Sequence, residues 1–310
     1  MAMEEQKKLL VLVDGSERSL LTVDYVGAVK AFADMKVVLF HVFSGIPEVF
    51  WDLEYETIGA ASSRQMREWE EQRRRFINAY MDRAKNRLIA AGFSEASIET
   101  VIHTRQKGVA RDILKEAEKD YHAVVLRRNG MGKLEGVAVG SVANKCIGKL
   151  QSLPVIVAGR KPPNQKVLIA IDGSHSSFRA VDFVAENLGG KGYSVELCHV
   201  IRGLSALNSQ YPEFMMPSEN AEEIQSAMQH IFARLTSKLR SAGFAPDAVF
   251  QKIVSGVHSR AGAIVQEAEA GGYNAVVVGR RGLSRIEEFL MGRVSSKVIQ
   301  ANRYLSVWII

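Results

Sequence analysis

The feature that most constrains the fold is that the chain contains the same pattern twice. The first copy begins with LLVLVDGS, and VLIAIDGS begins the second copy 158 positions later. The matching segments are Leu9–Ser16 with Val167–Ser174, His41–Val42 with His199–Val200, Ala91–Phe93 with Ala242–Phe244, and Tyr121–Val125 with Tyr273–Val277. A period this long indicates a duplicated domain, because solenoid units repeat every 20–50 residues or so. The 310 residues are therefore predicted to form two domains, 1–160 and 161–310.

The two copies differ in length between their second strand and the Ala-Gly-Phe. The offset falls there from 158 to 151–152, so the second copy is shorter by six or seven residues. The first copy carries a basic stretch in this region, residues 64–87, with three arginines in a row at Arg73–Arg75. Apolar residues spaced through the stretch predict a long amphipathic helix with a solvated basic face.

Within each copy, apolar runs rich in β-branched residues alternate with helical patterns. In the first copy strands are predicted near 8–13, 36–42, 97–102, 122–127 and 154–158, and helices near 17–33, 62–91, 108–119 and 139–150. Ser16 and Ser174 are candidate N-caps, and Gly92 and Gly243 are candidate glycines after helix ends. Strands that are hydrophobic throughout and separated by helices indicate a parallel sheet covered on both faces. The fold class is therefore α/β, with two doubly wound five-stranded domains.

Composition excludes several classes of protein. Hydrophobic residues make up 47% and charged residues 24%, which is ordinary globular usage. No apolar run reaches the roughly 18–20 residues of a membrane span, and the start lacks a signal-peptide pattern, so we expect a cytoplasmic protein. The net charge of +6 is modest for this length, which makes nucleic acid an improbable partner. Cys146 and Cys198 are interpreted as buried hydrophobic residues in a reducing compartment.

Two loops in each copy carry unusual chemistry at strand ends. Open parallel sheets bind ligands outside the carboxyl ends of their strands, where the strand order reverses. The first loop is Asp-Gly-Ser directly after strand one. The second loop follows strand four, and in copy two it has the spacing G-x2-G-x9-G through Gly279, Gly282 and Gly292. In copy one the matching run begins at Arg127 and continues through Gly130 and Gly140.

The second loop is suited to bind phosphate. Glycines let the backbone approach a ligand closely, and a helix that begins at Gly140 or Gly292 directs free N–H groups at an anion. Further donors are predicted from hydroxyls and guanidinium groups nearby, namely Ser141, Ser295, Ser296, Arg280, Arg281 and Arg293. No metal site is predicted, because His41 and His199 lack a second histidine at metal-ligand spacing and are interpreted as structural.

The tandem architecture, the DGS, the His-Val pair and G-x2-G-x9-G together resemble the universal stress protein family over the whole chain. The resemblance implies the strand order 3-2-1-4-5 of adenine-nucleotide α-hydrolase-like folds. It also implies binding of ATP or another adenine nucleotide, with or without Mg²⁺, in a family that includes members that bind none. The implied contacts are Asp172, Val200, Gly279, Arg281, Gly282, Gly292, Arg293, Val294 and Ser295 in copy two, and Asp14, Val42, Gly130, Gly140, Ser141 and Val142 in copy one.

Both copies depart from the family pattern. Copy one has Arg127 where the first glycine belongs, and we expect strain there if that backbone needs a positive φ. It also has Ala143 where a hydroxyl would help. Copy two keeps all three glycines but has Arg293 after the last one. Copy two is therefore predicted to be the better site. Asp14 and Asp172 have an alternative interpretation as residues that only form the entry to the following helix.

Three functions compete. The leading one is a nucleotide-binding stress-response or signalling module, not an enzyme beyond slow ATP hydrolysis. The second is a scaffold that binds no nucleotide and acts through its basic helix and protein partners. The third, an enzyme such as an ATP pyrophosphatase, is disfavoured because its phosphate loop would directly follow strand one. The apolar last strands are expected to pair within the chain as a pseudo-dimer, with a homodimer as a further option.

Overall fold

The structure is a computed structural model that describes residues 6–45, 60–128, 139–159, 164–202, 219–282, 291–301 and 304–310. The first half contains β1 Lys8–Leu12, α1 Glu17–Ala28, β2 Lys36–Phe43, α2 Ala60–Ala90, β3 Ile98–Thr104, α3 Val109–Glu116, β4 Ala123–Arg127, α4 Ser141–Lys149 and β5 Val155–Ala158. The second half contains β6 Lys166–Ala170, α5 His175–Leu188, β7 Ser194–Arg202, α6 Glu219–Ser241, β8 Val249–Val257, α7 Arg260–Ala270, β9 Ala275–Val278, α8 Arg293–Ala301 and β10 Ser306–Ile309.

The two halves share one ten-stranded sheet. Its order is β3-β2-β1-β4-β5-β10-β9-β6-β7-β8, so each half has the predicted order 3-2-1-4-5. All pairings within a half are parallel, and β5 pairs with β10 antiparallel, with Ile156 opposite Trp308. Strand order therefore reverses between β1 and β4 and between β6 and β9, which leaves room at the carboxyl ends of these strands.

Helices cover both faces of the sheet, as the unbroken apolar strands predict. In β1, Leu9, Leu10 and Val11 are all fully buried. Leu9 and Val11 pack in the cluster under α1, α2, α5 and α6, whereas Leu10 packs in the cluster under α3, α4, α7 and α8. Successive side chains of a strand point to opposite faces, so a strand buried on both sides has no polar alternation.

The predicted helix caps are confirmed, whereas the predicted end of the first helix is wrong. The Ser16 and Ser174 hydroxyls each accept a backbone hydrogen bond of 3.2 Å from the residue three positions later. Gly92 and Gly243 have φ of 99° and 96°, as glycines after helix ends commonly do. The first helix was predicted to reach residue 33 but ends at Ala28. A 3-10 turn follows and buries Phe32 against Trp308, a contact with the other half that no local signal predicts.

Two further predictions concern cysteines and membranes. Cys146 and Cys198 are buried and unpaired, and burial raises their thiol pKa to about 11 and about 12. The interpretation of both as small hydrophobic residues is therefore confirmed. Among the described residues, no helix has both the length and the hydrophobicity to span a bilayer.

Candidate functional site

A cavity of about 320 Å³ opens at the carboxyl ends of β1, β2 and β4 in the first half. This volume lies at the lower end of the range of about 300–1,000 Å³ for small-molecule pockets. Much of its wall is apolar and comes from both sides of the strand-order reversal, namely Phe40, Val42, Ile113, Leu126, Val142 and Cys146. Asp14, Arg73, Arg127 and Gly140 add polar groups to the wall. The predicted residues Asp14, Val42, Gly140, Ser141 and Val142 thus line one cavity.

Asp14 both shapes the turn after β1 and faces the cavity. Its Oδ1 accepts hydrogen bonds from the Ser16 N–H at 2.9 Å and from the Ser16 hydroxyl at 2.6 Å. Gly15 makes the turn possible with φ of 85°, a region that side chains disfavour. The second carboxylate oxygen, Oδ2, is buried and has no hydrogen-bond partner. The helix-entry interpretation accounts for Oδ1 and does not account for the unpartnered Oδ2.

The two strand-end histidines have equivalent places. His41 Nδ1 lies 3.0 Å from the Val13 carbonyl oxygen, and His199 Nδ1 lies 2.7 Å from that of Ile171. Each ring therefore joins the end of the second strand of its half to the end of the first. Burial lowers the pKa of His41, so the ring is neutral near pH 7. No group of three or more metal-binding side chains occurs among the described residues.

The glycines before the last helices close the second loop by a backbone hydrogen bond. The Gly140 N–H donates to the Arg128 carbonyl at 2.6 Å, and the Gly292 N–H donates to the Arg280 carbonyl at 2.8 Å. Helices α4 and α8 begin at the next residue, as predicted. Ser141 and Arg293 are exposed there, whereas Val142 and Val294 pack against the core. Gly130 lies outside the described residues.

Two glycines of the copy-two loop lie in close contact with neighbouring atoms, and neither has a positive φ. A Cβ on Gly279 would lie 2.7 Å from the Ser176 carbonyl carbon, and one on Gly282 would lie 2.6 Å from Asp172 Oδ2. None of the positive-φ glycines is in this loop, and no described non-glycine residue has a positive φ. The expected backbone strain at Arg127 is therefore wrong.

Three of the proposed phosphate donors in copy two already have hydrogen-bond partners. Arg280 is 3% exposed, and its Nη1 donates to the Ile147 carbonyl of the first half at 2.6 Å. Its predicted role as a phosphate ligand is wrong, because the side chain points into the contact between the halves. The Ser295 hydroxyl donates to the Gly279 carbonyl at 2.7 Å and so joins α8 to β9. Arg281 is exposed, and its Nη2 lies 3.4 Å from Gln151 Oε1.

Arg73 is a cavity residue that the sequence analysis missed. It lies on α2, in the stretch interpreted as a solvated basic face, yet it lines the cavity. Its Nε is buried and has no hydrogen-bond partner. The aligned position in the second copy is Ile224, since Ala91 and Ala242 are equivalent. An apolar residue at the equivalent helix position was the available signal that this position faces inward.

Comparison with known proteins agrees with the fold and the repeat. A model of the universal stress protein family matches residues 5–158 and again residues 163–302. Universal stress protein Rv1996 of Mycobacterium tuberculosis (strain ATCC 25618 / H37Rv) is 24% identical over 307 residues, which cover 95% of this chain and 92% of the relative. Universal stress protein Mb2019 of Mycobacterium bovis matches to the same extent.

Solved structures match over the full length of the chain. The universal stress protein from Archaeoglobus fulgidus DSM 4304 covers 97% of this chain and 97% of its own, with a TM-score of 0.63 at 18% identity. A putative universal stress protein from Pseudomonas aeruginosa UCBPP-PA14 covers 100% of this chain and 95% of its own, with a TM-score of 0.58 at 13% identity. At these identities the likeness concerns the fold.

Proposed function

The chain belongs to the universal stress protein family, and from this premise we propose that it binds an adenine nucleotide as a stress-response or signalling module. The observation that carries the proposal is the cavity of about 320 Å³ at the reversal of strand order in the first half. Its wall contains buried polar atoms without partners, including Asp14 Oδ2. Buried polar atoms are normally hydrogen-bonded, so unpartnered ones in a cavity wall favour a polar ligand.

The chemistry of the wall suits a nucleoside. Phe40, Val42 and Ile113 would pack against a flat heteroaromatic base. Asp14 Oδ2 is an acceptor for an amine or hydroxyl of the ligand. The first turn of α4, after Gly140, offers N–H groups to a phosphate. Any Mg²⁺ would enter with the phosphates of the nucleotide, since Mg²⁺ commonly binds through substrate phosphates.

We propose the second half as an equivalent site around Asp172, Val200, Gly282 and Gly292. The presence of all three glycines of the G-x2-G-x9-G pattern supports a site in the second half, whereas the cavity supports a site in the first half. The sequence-based ranking of the second half above the first stays a prediction. The proposed role is binding and release of nucleotide, which changes the surface that the protein presents to partners.

The test is mass spectrometry of ligands released from the denatured, purified protein, combined with thermal unfolding in ATP, ADP, AMP and GTP. We expect an adenine nucleotide in the released fraction and a rise in melting temperature with millimolar ATP. A ligand at 100 times its Kd stabilises by about 2.7 kcal/mol. A nucleotide-free preparation that ATP does not stabilise would refute the proposal. Gly282→Asp is the variant that tests nucleotide binding in the second half, because the added side chain would meet the Asp172 carboxylate.

The second candidate is the scaffold without nucleotide. It is favoured by Trp69 and Phe76 on α2, which are 48% and 55% exposed among arginines. Such a surface suits an acidic, apolar segment of a partner. The same thermal unfolding experiment separates the two, because only the first candidate predicts stabilisation by ATP. The pairing of β5 with β10 lets one chain act as a pseudo-dimer under either candidate.

A further inference from the structure

We propose that Arg73 and Arg127 form a phosphate-binding subsite inside the first-half cavity, beside Asp14. The inference extends the proposed function, because it assigns to the first half a nucleotide that holds one phosphate group within the cavity. It does not depend on the glycine loop, where phosphate binding was expected from the sequence. The ligand class is therefore a phosphorylated nucleoside, and not a free nucleoside.

The first step is that both arginines line one cavity and that each has a buried N–H group without a hydrogen-bond partner. Arg73 Nε and Arg127 Nη1 are buried and have no hydrogen-bond partner, and both side chains line the cavity. A guanidinium carries five donors in a planar fork that matches phosphate oxygens. Two such groups that line one cavity, one on α2 and one at the end of β4, can bind one tetrahedral anion together.

The second step concerns charge. Arg73, Arg127 and Arg128 line the cavity, whereas Asp14 is the one carboxylate among the described residues that line it. Burial, followed by the charge of the nearby Arg18, lowers the pKa of Arg127, whereas the charge of Asp14 raises it. The neighbouring His41 adds no further positive charge near pH 7, because burial lowers the pKa of its ring. An anion in the cavity would relieve this excess of positive charge.

The third step is the comparison of the two halves. The positions equivalent to Arg73 and Arg127 in the second copy are Ile224 and Gly279, which carry no charge. Both copies keep the strand-one aspartate and the arginine equivalent to Arg128, which is Arg280 in the second copy. The two extra arginines are therefore specific to the first half, and they distinguish its ligand from that of the second.

The test is calorimetric titration of the full chain with adenosine, 5′-AMP, 3′-AMP, ATP and orthophosphate. We expect one class of sites to bind a monophosphate at least about tenfold more tightly than adenosine, the size of effect typical of charge-assisted hydrogen bonds. Preference for 5′-AMP or for 3′-AMP identifies the position of the phosphate. Arg73→Gln and Arg127→Gln should each remove most of this gain while adenosine affinity changes less than about twofold.

The control is Arg75→Gln, which makes the same change on the same helix at a side chain that is 81% exposed. It should leave every affinity unchanged, and circular dichroism confirms that each variant is folded. If adenosine and the monophosphates bind equally, or if a variant that carries both Arg73→Gln and Arg127→Gln keeps the gain, the subsite is refuted while the proposed function stands. Arginine-dependent binding of orthophosphate without binding of any adenine nucleotide would support the subsite and refute the proposed function. Binding of neither refutes both.

Discussion

The guanidinium of Arg280 in the second half donates a hydrogen bond of 2.6 Å to the carbonyl of Ile147 in the last turn of α4 in the first half. Arg128 makes the equivalent contact with the Ile299 carbonyl in α8, at 2.5 Å. Each arginine follows the fourth strand of its own half. The helix that it contacts belongs to the other half and begins directly after Gly140 or Gly292. The two candidate sites are thus connected by reciprocal contacts at the C-terminal ends of their helices, where a positive charge is favourable.

Replacing Arg280 should destabilise the whole chain. The side chain also donates to the Leu153 carbonyl at 3.3 Å, so Arg280→Ala leaves two acceptors without this partner. We expect a loss of about 3 kcal/mol in the free energy of unfolding, measured by urea titration. Arg280→Lys should lose less, because it keeps the charge but not the fork. The control, Arg281→Ala at the exposed neighbour, should change stability by under about 0.5 kcal/mol. Equal values for Arg280→Ala and the control would contradict the assignment.

The buried contact between Trp308 and Tyr25 should stabilise the junction of the halves. Trp308 Nε1 donates to the Tyr25 hydroxyl at 2.8 Å, and both side chains are 1% exposed. Trp308→Phe removes this donor and some packing, so we expect a loss of about 1–3 kcal/mol, measured by thermal and urea unfolding. Trp69→Phe is the matched control, because Trp69 is 48% exposed and should contribute little. A similar cost for both variants would refute the special role of Trp308.

Much of the fold could be predicted from the sequence, because the signals are local. Unbroken apolar strands, Ser16 and Ser174 as caps, and Gly92 after a helix each specify a nearby conformation. The family resemblance then supplied the strand order. The end of α1 could not be predicted in this way, since the turn after Ala28 depends on burial of Phe32 against Trp308, a residue of the other half.

The candidate site could be predicted in part. The repeat and the strand-end motifs located Asp14, Val42 and Gly140, which line the cavity. The direction of long side chains was beyond the sequence, because an arginine on a helix or after a strand can reach solvent, a ligand or another domain. For this reason the sequence predicts Arg280 at a phosphate and Arg73 in solvent, whereas Arg280 lies in the contact between the halves and Arg73 lines the cavity.

Acid should reduce the stability of the chain through His122, because the charged ring is disfavoured by burial at the contact between the halves. Its Nε2 lies 2.9 Å from Asn187 Oδ1, and Asn187 Nδ2 donates to the Phe183 carbonyl, so the histidine is the donor. Burial, and then the charge of Lys7, lower the pKa of His122. The neutral ring therefore contributes stability above about pH 6.5, the ordinary value, and this is lost as the pH falls through the lowered pKa. Unfolding free energies at pH 7.5 and 5.5 should differ less in His122→Gln than in the unmodified chain. If the difference between the two pH values were the same in His122→Gln and in the unmodified chain, His122 would not change its protonation on unfolding.

Gly279 should be intolerant of the smallest side chain, although its backbone is not in a glycine-specific conformation. A Cβ there would meet the Ser176 backbone at 2.7 Å, where neither β9 nor the start of α5 can shift freely. We expect Gly279→Ala to lower the free energy of unfolding by about 1–3 kcal/mol, as overpacking does, and to weaken nucleotide binding in the second half.

The matched control is Gly262→Ala in α7, where an added Cβ would lie at an ordinary 3.4 Å from Ser259 Cβ. This control should be neutral or stabilising by up to about 1 kcal/mol, because alanine favours helix. If Gly279→Ala were as stable as the control, close approach would not explain why the second half has glycine at this position. The first half has Arg127 at the equivalent position, and this difference between the halves would then have to arise from ligand binding alone.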